Sequence, residues 1–133
     1  MSFGITPGTA AFGRDRLASA EAFLTSAERT AQAQLDRFAT NVAITNFVHA
    51  GIAASDAICC FELRSYMQGD DHRQAIGHLA KVGPDGSALS KALGDLLAMK
   101  STASYGAKPL PPDDLKRAAR AAAKLVAAAR ARL

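Results

Sequence analysis

The segment from Asn41 to Tyr66 constrains the fold most, because its apolar residues lie on two faces of a helix. One face carries Ile44, Val48, Ile52, Cys59 and Leu63, and the other carries Phe47, Gly51, Ala54 and Ile58. A helix with two apolar faces needs covering on both sides. The sequence therefore predicts a helix at the centre of a bundle, ending near Gln68–Gly69, where glycine can adopt a left-handed cap.

Apolar residues at three- and four-residue steps predict three further long helices. The first begins at Arg14 and breaks within Thr30–Arg37. Another opens at Asp85 or Ser87 and ends near Gly106, and the last begins at Asp113–Asp114, where acids favour a helix start. A short helix is expected between a cap at Asp70 or Asp71 and a stop at Gly83–Pro84.

Composition supports the helical assignment. Thirty of the 133 residues are alanine, aromatic residues make up 6%, and tryptophan is absent. Alanine favours helix, and the length suits one domain. We expect an all-α, antiparallel four-helix bundle with a short extra helix over residues 14–133. Residues 1–13, with three glycines and a proline, are expected to form a flexible leader.

Positive charge is concentrated in the second half of the chain. Residues 1–66 carry a net charge of −1 and residues 67–133 a net charge of +5. On the last helix, Lys116, Arg120 and Lys124 follow at four-residue steps beside Arg117. Such a stripe is compatible with a nucleic-acid or phosphate partner. An ordinary solvated helix face is the alternative interpretation.

Cysteine usage and hydropathy indicate a cytoplasmic protein. Cys59 and Cys60 are adjacent, a geometry that disfavours a mutual disulfide, so we expect reduced packing residues. Histidines and cysteines do not cluster at metal-ligand spacing, so neither a metal nor a cofactor is expected. The N-terminus lacks a signal-peptide pattern, and no uninterrupted apolar run reaches the length of a membrane span.

Two pairs of polar residues are poorly spaced for catalysis. His49 and Asp56 share a helix face but are separated by about 10 Å along the axis, so direct contact is not expected. Arg73 and His78 point about 140° apart on one short helix.

Lys100 and Tyr105 have a different setting. Lys100 continues the apolar stripe of its helix, and Tyr105 stands just before Gly106, where unwinding would let its hydroxyl turn toward Lys100. The alternative is that both residues have structural roles. Lys100 would then interact with the carbonyl groups at the helix end, and Tyr105 would pack under the loop.

The chain resembles the HEPN domain family (higher eukaryotes and prokaryotes nucleotide-binding), especially its short stand-alone prokaryotic members. The resemblance rests on the segment Lys100–Gly106, which contains Ser104 and Tyr105, on the alanine-rich helix that follows, on Asn41 and His49, and on His72 opening a short helix. It covers about residues 15–133. It implies a homodimer, RNA or nucleotide as ligand, and a nucleotidyltransferase-like antitoxin as partner.

In HEPN ribonucleases an arginine and a histidine with four to six residues between them carry catalysis. Lys100 stands at the arginine position and Tyr105 near the histidine position. Lysine lacks the guanidinium fork, and a phenol is a weak proton donor or acceptor near neutral pH. We therefore expect a non-catalytic module that binds RNA, a nucleotide or a partner protein, with Lys100, Ser104, Tyr105 and His72 as candidate functional residues.

Two alternatives stay open. One is an active, metal-independent HEPN ribonuclease that uses Lys100 and Tyr105. The other is a purely structural or scaffolding bundle whose basic last helix is ordinary surface.

Overall fold

The computed structural model describes residues 4–69 and 72–133. Within them the element order is β1 (Ile5–Pro7), α1 (Ala10–Ala33), α2 (Ala39–Leu63), β2 (Ser65–Met67), α3 (His72–Leu79), α4 (Gly86–Tyr105) and α5 (Pro112–Arg130). The chain is mostly helical, as its composition predicts. The two-stranded sheet was not expected from the sequence.

Helix α2 lies in the middle of the structure and packs against α1, α5 and α4. Both of its apolar stripes face neighbouring helices, with Ile44, Phe47 and Ile58 fully or almost fully buried. A Cβ at Gly51 would collide with Leu96 of α4 and contact Leu125 of α5. The absence of a side chain at this position thus allows α4 and α5 to pack closely against α2.

Among the described residues, α2 is also the one helix long and apolar enough to cross a membrane, with a mean hydropathy of 1.3 over the most apolar part. About two thirds of that part (67%) is buried inside the protein. Core helices of soluble proteins have the same length and hydropathy, so this property is weak evidence for a membrane span.

Residues 4–13 are part of the fold rather than of a leader. Strand β1 pairs antiparallel with β2, in the register Ile5 with Met67 and Pro7 with Ser65. The hydroxyl of Thr9 accepts a hydrogen bond from the Phe12 backbone N–H at 3.0 Å and caps α1. The expected domain start at residue 14 therefore falls too late, because strand pairing is a long-range contact without a local sequence signal.

The end of α2 also differs from the sequence prediction. The helix ends at Leu63, where Arg64 takes the left-handed conformation (φ 56°) and donates its backbone N–H to the Cys60 carbonyl at 3.2 Å. Gln68–Gly69 follows β2 instead. Helix α3 ends at Leu79, before Gly83–Pro84, and its expected caps Asp70 and Asp71 lie outside the described residues.

Helix α4 begins and ends close to its predicted limits, and α5 begins close to its predicted start. Asn41, only 3% exposed, holds the loop between them. Its side-chain amide donates to the Lys108 carbonyl at 2.9 Å, and its amide oxygen accepts from the Leu110 backbone N–H at 2.7 Å. One side chain at the start of α2 therefore fixes the path of the α4–α5 connection.

Replacement of Asn41 by alanine should lower the free energy of unfolding by about 2 kcal/mol, because it leaves the Leu110 N–H and the Lys108 carbonyl without their partner. Urea unfolding followed by circular dichroism measures the change. Asn46→Ala is the matched control, since Asn46 donates only to the Ser26 hydroxyl at 3.3 Å, near the surface. Equal losses in the two variants would contradict the special role of Asn41.

Candidate functional sites

An open groove of about 460 Å³ runs between α4 and α5. We call it the basic groove. Its lining residues are Ala88, Lys91, Ala92 and Asp95 from α4, and Arg117, Arg120, Ala121 and Lys124 from α5. Three of the four basic residues singled out on the last helix thus line one concave surface. Lys116 is exposed but does not line it.

The three α5 cations face the groove because of their spacing. Arg117, Arg120 and Lys124 follow at steps of three and four residues, which places them on one helix face. They extend over about 10 Å along the axis. The alanines between them and on α4 are small, so the groove floor stays open to a ligand.

Within the part of the chain that the structure describes, these three cations form no ion pair. Lys91 pairs with Asp95 at 3.5 Å, and both side chains are substantially exposed. The other ion pairs of the described residues involve Arg16, Arg130 and Arg132, and none involves Arg117, Arg120 or Lys124. The groove therefore carries an excess of positive charge that suits an anionic ligand.

A second, smaller cavity of about 120 Å³ lies between α2, α3 and α4. We call it the Lys100 cavity. Four polar side chains line it: Ser55, Asp56, His72 and Lys100. Its apolar lining comes from Ile52, Met67, Ala75, Leu93 and Leu97, and Gly69 completes the rim.

The structure brings together two of the four candidate residues from the HEPN resemblance. Lys100 and His72 line the same cavity, whereas Ser104 and Tyr105 do not. The Ser104 hydroxyl forms a hydrogen bond with the Thr45 hydroxyl at 3.3 Å. Helix α4 stays regular through Tyr105, whose side chain is 82% exposed and lies about 140° around the helix from Lys100.

Asp56 is held by an ion pair across the α1–α2 contact. The Arg16 Nε donates to the Asp56 Oδ2 at 3.0 Å, and the two side chains are 27% and 16% exposed. Burial raises the pKa of Asp56 to about 6, although the Arg16 charge and hydrogen bond act in the opposite direction. Asp56 therefore titrates well above an ordinary aspartate.

His49 has a partner other than Asp56. Its ring stacks on Phe23 with centroids 5.2 Å apart. Burial lowers the pKa of His49, and the nearby Lys100 and Arg16 charges lower it further. The neutral ring thus serves the α1–α2 contact, and the sequence argument against a His49–Asp56 pair agrees with these contacts.

The remaining histidine and the cysteines have structural roles. The buried His78 Nε2 forms a hydrogen bond with the Ser65 hydroxyl at 3.0 Å, while Arg73 is exposed, so this pair diverges. Burial raises the pKa of Cys59 to about 12 and that of Cys60 to about 11, which keeps both thiols protonated. Within the described residues, no three metal-ligating side chains form a cluster.

Sequence reasoning missed the contributions of other elements to both sites. Lys91 and Asp95 belong to the basic groove because α4 packs beside α5, and Ser55 belongs to the Lys100 cavity because α3 covers α2. Residue spacing within one helix carries no information about which helices become neighbours.

In comparisons with known proteins, no family model matches this chain and no curated protein sequence matches it. Assignment of a function therefore depends on the two sites and on the residues of the HEPN resemblance.

The raised pKa of Asp56 predicts a pH-dependent contribution to stability. The folded protein binds this proton more tightly than the unfolded chain does, so the contribution is complete below about pH 4 and is lost as the pH rises through about 6. A shift of about two pKa units corresponds to about 2–3 kcal/mol.

Urea unfolding of the wild-type protein and of Asp56→Asn between pH 4 and pH 7 measures this contribution. The stability of the wild type relative to the variant should fall as the pH rises. If the wild type instead becomes more stable relative to Asp56→Asn as the pH rises, the attraction of Arg16 for the Asp56 carboxylate outweighs the effect of burial.

Proposed function

We propose that this protein is a non-catalytic, HEPN-like helical module that binds single-stranded RNA through the basic groove. The observation that carries the proposal is the row of Arg117, Arg120 and Lys124, which line a concave surface and make no ion pair within the described residues. Phosphate groups are the natural partners of unpaired cations in a groove.

The shape of the groove favours a strand over a single nucleotide. The cations spread over about 10 Å, which is longer than one phosphate and suits successive phosphates of a backbone. The groove is open, so a strand can pass along it. A mononucleotide would cover only part of this row, so it would contact fewer of the cations than a strand does.

The groove lining also bears on specificity. It contains no aromatic side chain on which a base could stack. Base stacking supplies much of the affinity of other single-strand binders. We therefore expect weak, salt-sensitive binding through the backbone, with little preference for base sequence.

The proposal includes a more specific assignment of the fold within the helical class. Helix α2 contacts the other three long helices, and α4 packs on α5, which supports an antiparallel four-helix bundle of the HEPN kind. From the family resemblance we further expect a cytoplasmic homodimer, with a nucleotidyltransferase-like partner in a toxin–antitoxin setting.

An active ribonuclease is the second candidate, because Lys100 and His72 line one cavity. Two features favour the non-catalytic function. Tyr105 lies on the surface away from that cavity, and about 120 Å³ is too little space for a nucleotide.

Reversal of charge in the groove tests RNA binding. Fluorescence anisotropy with a labelled single-stranded RNA should show Arg117→Glu/Arg120→Glu binding at least about tenfold more weakly at low salt. With three cations on phosphates, the wild-type log–log salt slope should be about −2. Poly(U) and poly(A) should bind similarly.

The matched control is Arg14→Glu/Arg29→Glu, which changes the net charge equally at exposed positions on α1. Measured in the same buffer, this control should lose much less affinity than the groove variant, because charges on α1 act on the RNA only over longer distances. Equal weakening by both double variants would show that overall charge, rather than the groove, attracts RNA.

Incubation with a total-RNA pool separates the binding module from the ribonuclease. Since we expect no catalysis, both the wild type and Lys100→Ala should leave the RNA intact, as judged by gel electrophoresis. Cleavage by the wild type that is lost in a folded Lys100→Ala variant would instead establish the ribonuclease.

A further inference from the structure

The Lys100 cavity has the composition of a small-molecule site. Ile52 of α2 and Leu93 and Leu97 of α4 give it apolar walls, and Ser55 and Lys100 add polar groups. Such a combination, an apolar lining with few polar groups, is typical of pockets that bind organic ligands. The cavity lies between α2, α3 and α4, whereas the basic groove lies between α4 and α5, so the two sites are distinct.

The size of the cavity limits the ligand to a few atoms. An apolar protein cavity of about 150 Å³ accommodates benzene, which has six non-hydrogen atoms. The volume here, about 120 Å³, therefore suits about five or six non-hydrogen atoms. A nucleoside or a sugar phosphate is excluded by size.

The charges around the cavity favour an anion. Among the described lining residues Asp56 is the one carboxylate, and it is already paired with Arg16. Lys100 forms no ion pair within the described residues, and His72 adds a second nitrogen-bearing side chain. A ligand with a negative head group would give Lys100 the counter-charge that the described residues do not supply.

We propose that the Lys100 cavity binds a short-chain monocarboxylate of about three or four carbon atoms. The carboxylate pairs with Lys100 and accepts a hydrogen bond from His72. The alkyl chain contacts Ile52, Leu93 and Leu97. Inorganic phosphate fits less well, because its charged oxygens would face these apolar walls without hydrogen-bond partners.

A titration of the ¹⁵N-labelled full-length protein tests the proposal, with two-dimensional NMR spectra recorded in millimolar ligand. Butyrate should produce saturable shifts at residues around the cavity. Butanol has the chain without the charge, butylammonium has the opposite charge, and phosphate has the charge without the chain. Each of the three should bind at least about tenfold more weakly than butyrate.

The same titration can overturn the proposal in three ways. Equal binding of phosphate would show a general anion site, and stronger binding of butylammonium would show that Asp56 governs the cavity. An absence of saturable shifts with butyrate would show that the cavity does not take this ligand. The RNA assay is independent of all three outcomes, because it depends on residues of the basic groove.

Two variants locate the binding site. Lys100→Met keeps the aliphatic stem but removes the charge, and should weaken butyrate binding at least about tenfold. Lys108→Met is the matched control, since Lys108 is exposed in the α4–α5 loop and should leave binding unchanged. Unchanged butyrate affinity in a folded Lys100→Met protein would contradict the proposal. A further variant, Ala75→Leu, fills the cavity and should abolish butyrate binding although Lys100 stays in place.

Discussion

The packing around α2 is the constraint on which the rest of the structure depends. This helix is contacted by α1, α4 and α5, and the close approach at Gly51 is possible because this position has no Cβ. Many of its buried residues are alanines, which contribute little apolar area each but allow helices to lie near one another. Dense packing of small side chains thus compensates for the low content of aromatic residues, of which Phe47 lies in the core.

Polar residues on α2 connect this core to the parts of the molecule that could bind ligands. Asn41, at one end, holds the α4–α5 loop, and Asp56, nearer the other end, pairs with Arg16 of α1 while lining the Lys100 cavity. Buried polar groups are stable when they are hydrogen-bonded. Each of these two residues has its partner on a different segment, so each also fixes the relative position of two elements.

The ion pairs show which basic residues near the end of the chain stabilise the fold and which can bind a ligand. Arg132, only 12% exposed, binds both Glu62 and Asp85, and so attaches the C-terminal end to α2 and to the start of α4. Arg130 pairs with Glu21 of α1. Arg117, Arg120 and Lys124, earlier on α5, form no ion pair with the described residues. The C-terminal end of the last helix therefore stabilises the fold, and the face that lines the basic groove can bind a ligand.

The sequence by itself determined the helical class, the central position expected for α2, the approximate limits of α4 and the start of α5, because apolar periodicity, alanine content and helix-end residues are local signals. It also placed Lys116, Arg120 and Lys124 on one stripe with Arg117 beside it, whereas the structure puts Arg117 rather than Lys116 in the groove. Only the tertiary structure decided that Ile5–Pro7 pairs with Ser65–Met67, that Lys91 joins the basic groove and that Lys100 shares a cavity with His72. These contacts join residues far apart in the chain, and their formation depends on how whole helices pack rather than on the spacing of residues within one helix.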